Sequence, residues 1–223
     1  MMKTPDESAS SAGRPVALLL VGHFASGKST VAMRLAERLG CQVVEVGDIV
    51  RSSAKAAGEP TFRHAEQVLT SSQPLTFAYQ AGERINAIEG LVVVVGIRRP
   101  DELSLLRKIR PSLVVALSAS PAIRRKRWQE RQADGTRIAE VPWDERDEVE
   151  RSWGLDEVMK SAEVVIDANR PIDIVVDAVE QAWRTLSPNI TLGGCVGADR
   201  YLCSIERYCI PYRARSPSGR SKE

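Results

Sequence analysis

Near the start of the chain, Gly22-His23-Phe24-Ala25-Ser26-Gly27-Lys28-Ser29 brings together the groups a polyphosphate needs, at the spacing it needs. Glycines at both ends of a short loop let the backbone turn so that successive N–H groups point inward at phosphate oxygens. Lys28 is placed to lay its ammonium on the β- and γ-phosphates and Ser29 to offer a hydroxyl to Mg²⁺. The expected nucleotide-binding set is Gly22, Ala25, Ser26, Gly27, Lys28, Ser29 and Thr30, for ATP or GTP with Mg²⁺. His23 reads as a loop side chain rather than a catalyst. The competing reading, an ordinary glycine-rich turn, is weakened by context: an apolar run over 16–21 precedes the loop and an amphipathic stretch over 28–39 follows it.

Such a loop works only if a strand and a helix hold it, and the rest of the sequence supplies that frame. Short apolar runs at 16–21, 42–46, 91–95, 113–117 and 163–166 alternate with longer amphipathic stretches, the pattern of βα units around a parallel sheet. The runs are Val-rich and barely alternate, which suits strands covered on both faces. Helices are expected over 28–39, ended by Gly40, and over 48–57, ended by Gly58, with one or more over 62–88. Three more, over 100–109, 121–132 and 171–186, begin at proline, whose missing N–H is harmless in a first turn. The segment 133–143 lacks periodicity and contains Gly135 and Pro142, so it reads as a mobile loop.

A chain of 223 residues with 43% hydrophobic composition can bury one core. The expected organisation is a disordered leader over 1–14, one domain over 15–186, and a peripheral or disordered tail over 187–223. Short apolar pieces in that tail could dock on the domain or on a protein partner. A net charge of +2 argues against a nucleic-acid binder, which needs a strongly basic face. Cys41, Cys195, Cys203 and Cys209 form no CxxC pair, and His23 and His64 lie far from the last three, so neither a zinc site nor a disulfide framework is expected. No early apolar run approaches the ~20 residues of a membrane span, and the expected location is cytoplasmic.

Ligands of open parallel sheets bind outside the carboxyl ends of the strands, and two polar clusters fall there. Gly47-Asp48-Ile49-Val50-Arg51 follows the second strand, and Gly96-Ile97-Arg98-Arg99 the third. Singly, Asp48 could be a helix cap and the arginines solvated. Together with the phosphate loop they make one phosphate-handling face. Arg124, Arg127 and Arg131 recur at helical spacing just before the 133–143 loop, which contains Arg137. They could form a lid that adds positive charge and excludes water, a solvated helix face, or a nucleic-acid contact.

The segment 46–51 resembles the Gly-Asp-x-x-Arg element of adenylate-kinase-type nucleoside monophosphate kinases, in which the arginine holds the acceptor phosphate. The later chain is similar to dephospho-CoA kinase and related P-loop kinases. It carries Gly96-Ile97-Arg98 after a strand, arginines at 124, 127 and 131, Arg146-Asp147 before Gly154-Leu155, and a last strand running into Asp167-Ala168-Asn169. The resemblance implies a three-layer α/β P-loop NTPase fold with a five-stranded parallel sheet, a helical acceptor region over 54–88 and a small lid over 132–148. It implies phosphoryl transfer from ATP to a small anionic metabolite, a nucleoside monophosphate or a dephospho-CoA-like molecule. Arg51 and Arg98 would hold that acceptor, and Asp48 would contact it, activate its hydroxyl or organise Mg²⁺ with Ser29. Lys28, Arg98, Arg127 and Arg137 would stabilise the transferred charge, and Asn169 would contact the base. One position departs from these relatives: Val95 stands where they carry an acidic residue before Gly-Ile-Arg. That difference keeps a second reading open, a nucleotide-binding switch or docking protein with little or no kinase activity.

Overall fold

The computed structural model describes residues 16–135, 140–191 and 194–195. Five strands, β1 (Ala17–Val21), β2 (Gln42–Glu45), β3 (Val92–Val95), β4 (Ser112–Ser118) and β5 (Val164–Asp167), form one parallel sheet in the order β2-β3-β1-β4-β5. The fold is therefore the expected three-layer α/β arrangement. β1, the first strand in sequence, is the central one, so the chain builds outward on one side through β2 and β3 and then reverses to β4 and β5. That reversal opens a crevice beyond the carboxyl end of β1.

Every residue of β1 and β3 is buried because helices cover both faces. Leu19, Val21, Val44, Val92, Val94 and Val114 face one core, packed by Ile49 and Val50 of α2 (Val46–Ala57), Phe62 of α3 (Thr61–Thr70), Phe77 and Ile85 of α4 (Thr76–Ala87) and Leu103 and Leu106 of α5 (Pro100–Ile109). Leu18, Leu20, Val93, Val95, Leu113 and Val115 face the other, packed by Val31 and Leu35 of α1 (Lys28–Leu39) and by Val175, Val176 and Val179 of α9 (Ile172–Leu186). Successive strand residues thus serve opposite cores, and the absence of polar alternation in sequence follows directly.

Element bounds differ from the sequence expectations in physically readable ways. The stretch 62–88 divides into α3 and α4 at a connection containing Ser71, Ser72 and Pro74. Helix α2 begins at Val46 with Glu45 as its N-cap, so Asp48 lies inside its first turn. Helix α6 spans Pro121–Ala133. Two helices had no counterpart in the expectations, α7 (Trp143–Ser152) and α8 (Leu155–Lys160). The first is so rich in charge that it shows no apolar stripe, and it is held by its ends, with Trp143 and Trp153 buried. Beyond α9, β6 (Ile190–Thr191) pairs antiparallel with β7 (Gly194–Cys195).

Candidate active site

The phosphate loop joins β1 to α1, and its shape depends on glycine. Gly22 has φ 152° and Gly27 φ 99°, both in the region that side chains disfavour. A Cβ on Gly22 would lie 2.7 Å from the Leu117 carbonyl oxygen and 2.8 Å from Ser26 Oγ, so space as well as torsion requires glycine. Ala25 also takes a positive φ, 59°, in the middle of the loop. Helix α1 starts directly at Lys28 with no side-chain cap and no acidic residue in its first turn, leaving its N–H groups and dipole directed at the loop.

Lys28 folds back over this loop. Its Nζ donates to the carbonyls of Gly22 (2.5 Å) and His23 (2.8 Å) and reaches Ser26 Oγ at 3.4 Å. Burial pulls its pKa down to about 7, with Arg98, Arg124 and Arg146 acting in the same sense and Glu150 opposing them. A second anchor holds the loop from outside: His23 Nε2 lies 2.9 Å from Asp156 Oδ1 at the start of α8.

In front of the loop lies a cavity of about 280 Å³, at the size of a small metabolite rather than a macromolecule. Gly22, Ala25, Gly27, Lys28 and Ser29 form one wall, Glu45, Gly47 and Arg51 another, and Gly96 to Arg98 a third. Thus the ends of β1, β2 and β3 meet here, as the sheet topology demands. Arg51 donates to Asp48 within α2 and to Glu45 at 3.4 Å. The Asp48 carboxylate is 62% exposed and engages Arg51 from outside the cavity lining, whereas Glu45, 20% exposed, is inside it.

Arg98 is set by an acid that sequence reading passed over. Glu102, buried in the first turn of α5, accepts from the backbone N–H of Arg98 (2.8 Å) and of Arg99 (3.1 Å). Burial raises the pKa of Glu102 despite these donors.

The fourth wall comes from α6 and α7. Arg124, fully buried, donates to the Phe24 carbonyl (3.2 Å) and pairs with Asp147 Oδ1 at 2.5 Å, clamping the loop to α7. Arg127 donates to the carbonyls of Ser26 (3.0 Å) and Ala168 (2.8 Å). Arg131 lines the cavity directly. From α7, Arg146 stacks 3.9 Å above the Phe24 ring, and Glu150 lies 3.2 Å from Arg146 Nε and 3.7 Å from Arg98 Nε. The side chain of Glu150 is only 5% exposed. Burial would raise its pKa, but Arg98, Arg146 and Lys28 outweigh that and hold it below the ordinary carboxylate value. At the other end of the loop before α7, Glu140 accepts from Thr61 N (3.0 Å) and Phe62 N (2.6 Å), tying it to α3.

A second cleft of about 300 Å³ lies behind the loop, lined by Ser26, Gly27, Thr30, Arg127, Ala168 and Arg170 among others. Asn169 stands at its edge, where its Oδ1 accepts from Ser120 N (2.8 Å) and its Nδ2 donates to Asp167 (2.6 Å). Arg137 falls outside the described residues. The expected set is therefore distributed: Gly22, Ala25, Gly27, Lys28, Ser29, Arg51 and Arg98 share the front cavity, Ser26, Thr30 and Arg127 line the rear cleft, and Asp48 and Asn169 flank them. Glu45, Arg146 and Glu150 were not expected. The one available signal for α7 was Arg146-Asp147, with Glu150 one helical turn beyond Arg146.

The family model described as an AAA domain matches residues 21–141. A UPF0200 protein of Methanothermobacter thermautotrophicus is 30% identical over 176 residues, covering 77% of this chain and 91% of the relative. One of Pyrococcus horikoshii is 29% identical over 187 residues, covering 74% and 98%. Among solved structures, a gluconokinase from Sinorhizobium meliloti 1021 superposes with TM-score 0.56 at 21% identity, over 79% of this chain and 97% of that one. A shikimate kinase from Acinetobacter baumannii, in complex with shikimate, does so with TM-score 0.51 at 18% identity, over 79% and 94%. At these identities the structural likeness concerns the fold. Loop, sheet order and relatives agree: this chain belongs to the AAA-domain family of P-loop proteins and to the UPF0200 proteins within reach of it, with a P-loop kinase-like fold.

Proposed function

We propose that the protein transfers the γ-phosphoryl group of ATP or GTP to a small anionic metabolite, such as a nucleoside monophosphate or a dephospho-CoA-like acceptor. The observation that carries this reading is the single cavity in which Lys28 and the loop face Arg51 and Arg98. The loop backbone and the α1 N-terminus receive the phosphates, and the rear cleft near Ala168 to Arg170 receives the base, with Asn169 fixing the turn beside it. Lys28 leaves the loop carbonyls for the phosphate oxygens. Arg51, braced by Asp48, takes the anionic group of the acceptor, and Arg98 neutralises charge near the transferred group. Arg127 holds the loop in place during transfer.

Mg²⁺ fits this donor set. Among the described residues no cluster of three or more His, Cys, Asp or Glu forms a dedicated metal cage. What the cavity offers instead is the Ser29 hydroxyl of the loop with the Glu45 carboxylate at the β2 end, hard oxygen donors for an ion that takes its remaining ligands from phosphate and water, while the Asp48 carboxylate is turned away to Arg51. The ion would neutralise phosphate charge. No helix among the described residues is long and apolar enough to cross a membrane, and the reading puts the reaction in the cytoplasm, where nucleotide is abundant.

The test is a screen of nucleoside monophosphates, dephospho-CoA and related metabolites for nucleotide consumption, with identification of the product. Val95 favours a second reading, a nucleotide-binding switch, because a buried apolar side chain stands where the resemblance to dephospho-CoA kinase and related P-loop kinases implies an acidic residue. Nucleotide binding with no acceptor turnover would support that alternative. The tail proposed to contact a protein partner lies largely outside the described residues.

A further inference from the structure

The front cavity contains one feature that a binding site for two phosphate compounds does not need. Glu150 projects from α7 into a cluster of cations, its Oε1 3.2 Å from Arg146 Nε and 3.7 Å from Arg98 Nε, and it is almost wholly buried. Lys28 feels it as its strongest favourable charge. Both side chains line the front cavity, so the carboxylate shares it with the ammonium assigned above to the β- and γ-phosphates. Glu150 pairs with Arg146 and Arg98, while the clamp between α7 and the loop is carried by Arg124 and Asp147.

This carboxylate discriminates between nucleophiles. A phosphate acceptor must bring its own negative charge to the γ-phosphorus, beside an ionised carboxylate in a site with little water to screen the repulsion. A hydroxyl brings no charge and carries a proton that needs a receiver. The two groups of the acceptor are then recognised at separate places: its anionic group at Arg51, its hydroxyl at Glu150.

We infer that the acceptor is an anionic alcohol and that Glu150 is the catalytic carboxylate that orients its hydroxyl and receives its proton, a conclusion that rests on the kinase reading above. The hydroxyl oxygen forms the new bond to the γ-phosphorus. The bond from that phosphorus to the β–γ bridging oxygen breaks, its electron pair leaving on the nucleoside diphosphate. The hydroxyl proton passes to Glu150. Because the transition state of phosphoryl transfer is loose and the proton moves late, a weakly basic carboxylate suffices. The apolar Val95 at the end of β3 is consistent with this arrangement, because the carboxylate comes from the lid side instead.

The experiment uses the full chain, Mg·ATP, and two groups of acceptors: gluconate, shikimate and dephospho-CoA as anionic alcohols, and AMP, CMP, GMP and UMP as phosphate acceptors. Phosphorus NMR of the product separates a phosphate ester from a phosphoanhydride. The expected result is an ester. Glu150→Gln should then lower kcat by roughly 10²–10⁴ and abolish the acidic limb of the pH–rate profile, while Glu150→Asp restores part of the rate. Mg·ATP affinity, measured separately by calorimetry, should change less than about threefold in the Gln variant, as expected for a group acting on the acceptor side. A phosphoanhydride product, no transfer to any of the seven acceptors, or an unchanged kcat in Glu150→Gln overturns the inference. A wild-type protein that binds Mg·ATP and makes a phosphoanhydride leaves the kinase reading standing, whereas one that fails to bind Mg·ATP removes both.

Discussion

Two sides of the front cavity are built by different means. The loop wall is made of backbone: Gly22 and Gly27 supply the torsions, and consecutive N–H groups do the polar work within one short stretch of chain. The facing, ion-pair wall is made of side chains from distant places, with Arg98 after β3, Arg124 on α6, and Arg146, Asp147 and Glu150 on α7, meeting as ion pairs and cation–π stacks. The first wall tolerates almost no change in torsion, and Arg124, Arg127 and Asp156 brace it from outside. The second tolerates local change but fails when one charge loses its partner.

The sharpest way to break the loop wall is Gly22→Ala. Positive φ alone costs about 1–3 kcal/mol for a residue with a side chain, and the contact with the Leu117 carbonyl adds to it. The melting temperature should fall by on the order of 10 °C, and the stabilisation by millimolar Mg·ATP should vanish. A variant that keeps a wild-type nucleotide response would show that the loop is not specified by its glycines.

The same contrast explains what could be read from sequence. The loop, its flanking elements and all five strands were legible, because each is encoded by contiguous residues whose types state their own torsions or burial. Arg51 and Arg98 were legible as residues that follow strands. Glu150 was not, because nothing in the polar stretch 143–152 says which charges face inward; that depends on Trp143 and Trp153 burying the helix ends and on Arg98 and Lys28 from elsewhere in the fold, together with Arg146 of α7. Asp48 shows the reverse case: its position after β2 was read correctly, but starting α2 at Val46 turns its carboxylate toward Arg51 and solvent, and Glu45 enters the cavity.

On the ion-pair side the corresponding break is Asp147→Ala. It strands the fully buried Arg124 without its carboxylate, a loss that typically costs about 3 kcal/mol or more, and it releases the clamp on the Phe24 carbonyl. Thermal or denaturant unfolding should register the loss. The double variant Arg124→Met/Asp147→Ala should recover much of it, because the unpaired charge is then gone. If the single variant is as stable as wild type, the two walls are not joined by this pair.

A smaller effect concerns the charge that passes between the walls. Lys28 has its pKa lowered from 10.5 to about 7, so the folded chain binds this proton less tightly than the unfolded chain. The contribution of Lys28 to stability is present in full above its unfolded value and is lost as pH falls through about 7. Stability without nucleotide should therefore rise with pH across that window, and Lys28→Met should flatten the rise. Triphosphate restores the ammonium, so Mg·ATP binding near pH ~8 should take up most of a proton. Calorimetry in two buffers of different ionisation enthalpy measures that uptake. Equal observed heats in the two buffers would mean that no proton is taken up, and the same uptake in Lys28→Arg would show that the proton goes elsewhere.

The smallest effect is expected where a buried acid serves the backbone rather than another charge. Glu102 accepts the N–H groups of Arg98 and Arg99, and a glutamine carbonyl can accept both in the same place, so Glu102→Gln should change stability by less than about 1 kcal/mol. Burial raises the pKa of Glu102, which means the folded chain holds this proton more tightly than the unfolded chain. Its contribution to stability is complete below the ordinary carboxylate value and is lost as pH rises through the raised one. Glutamine has no such proton, so the variant should gain on wild type as pH increases through that window, with Arg98 held in position throughout. Glu102→Ala separates the two roles, since it leaves both N–H groups without their acceptor and should cost about 1–3 kcal/mol at every pH. A Gln variant as damaged as the Ala variant would mean that the negative charge, and not the acceptor atom, positions Arg98, and the acid would then belong with the ion pairs that face the loop.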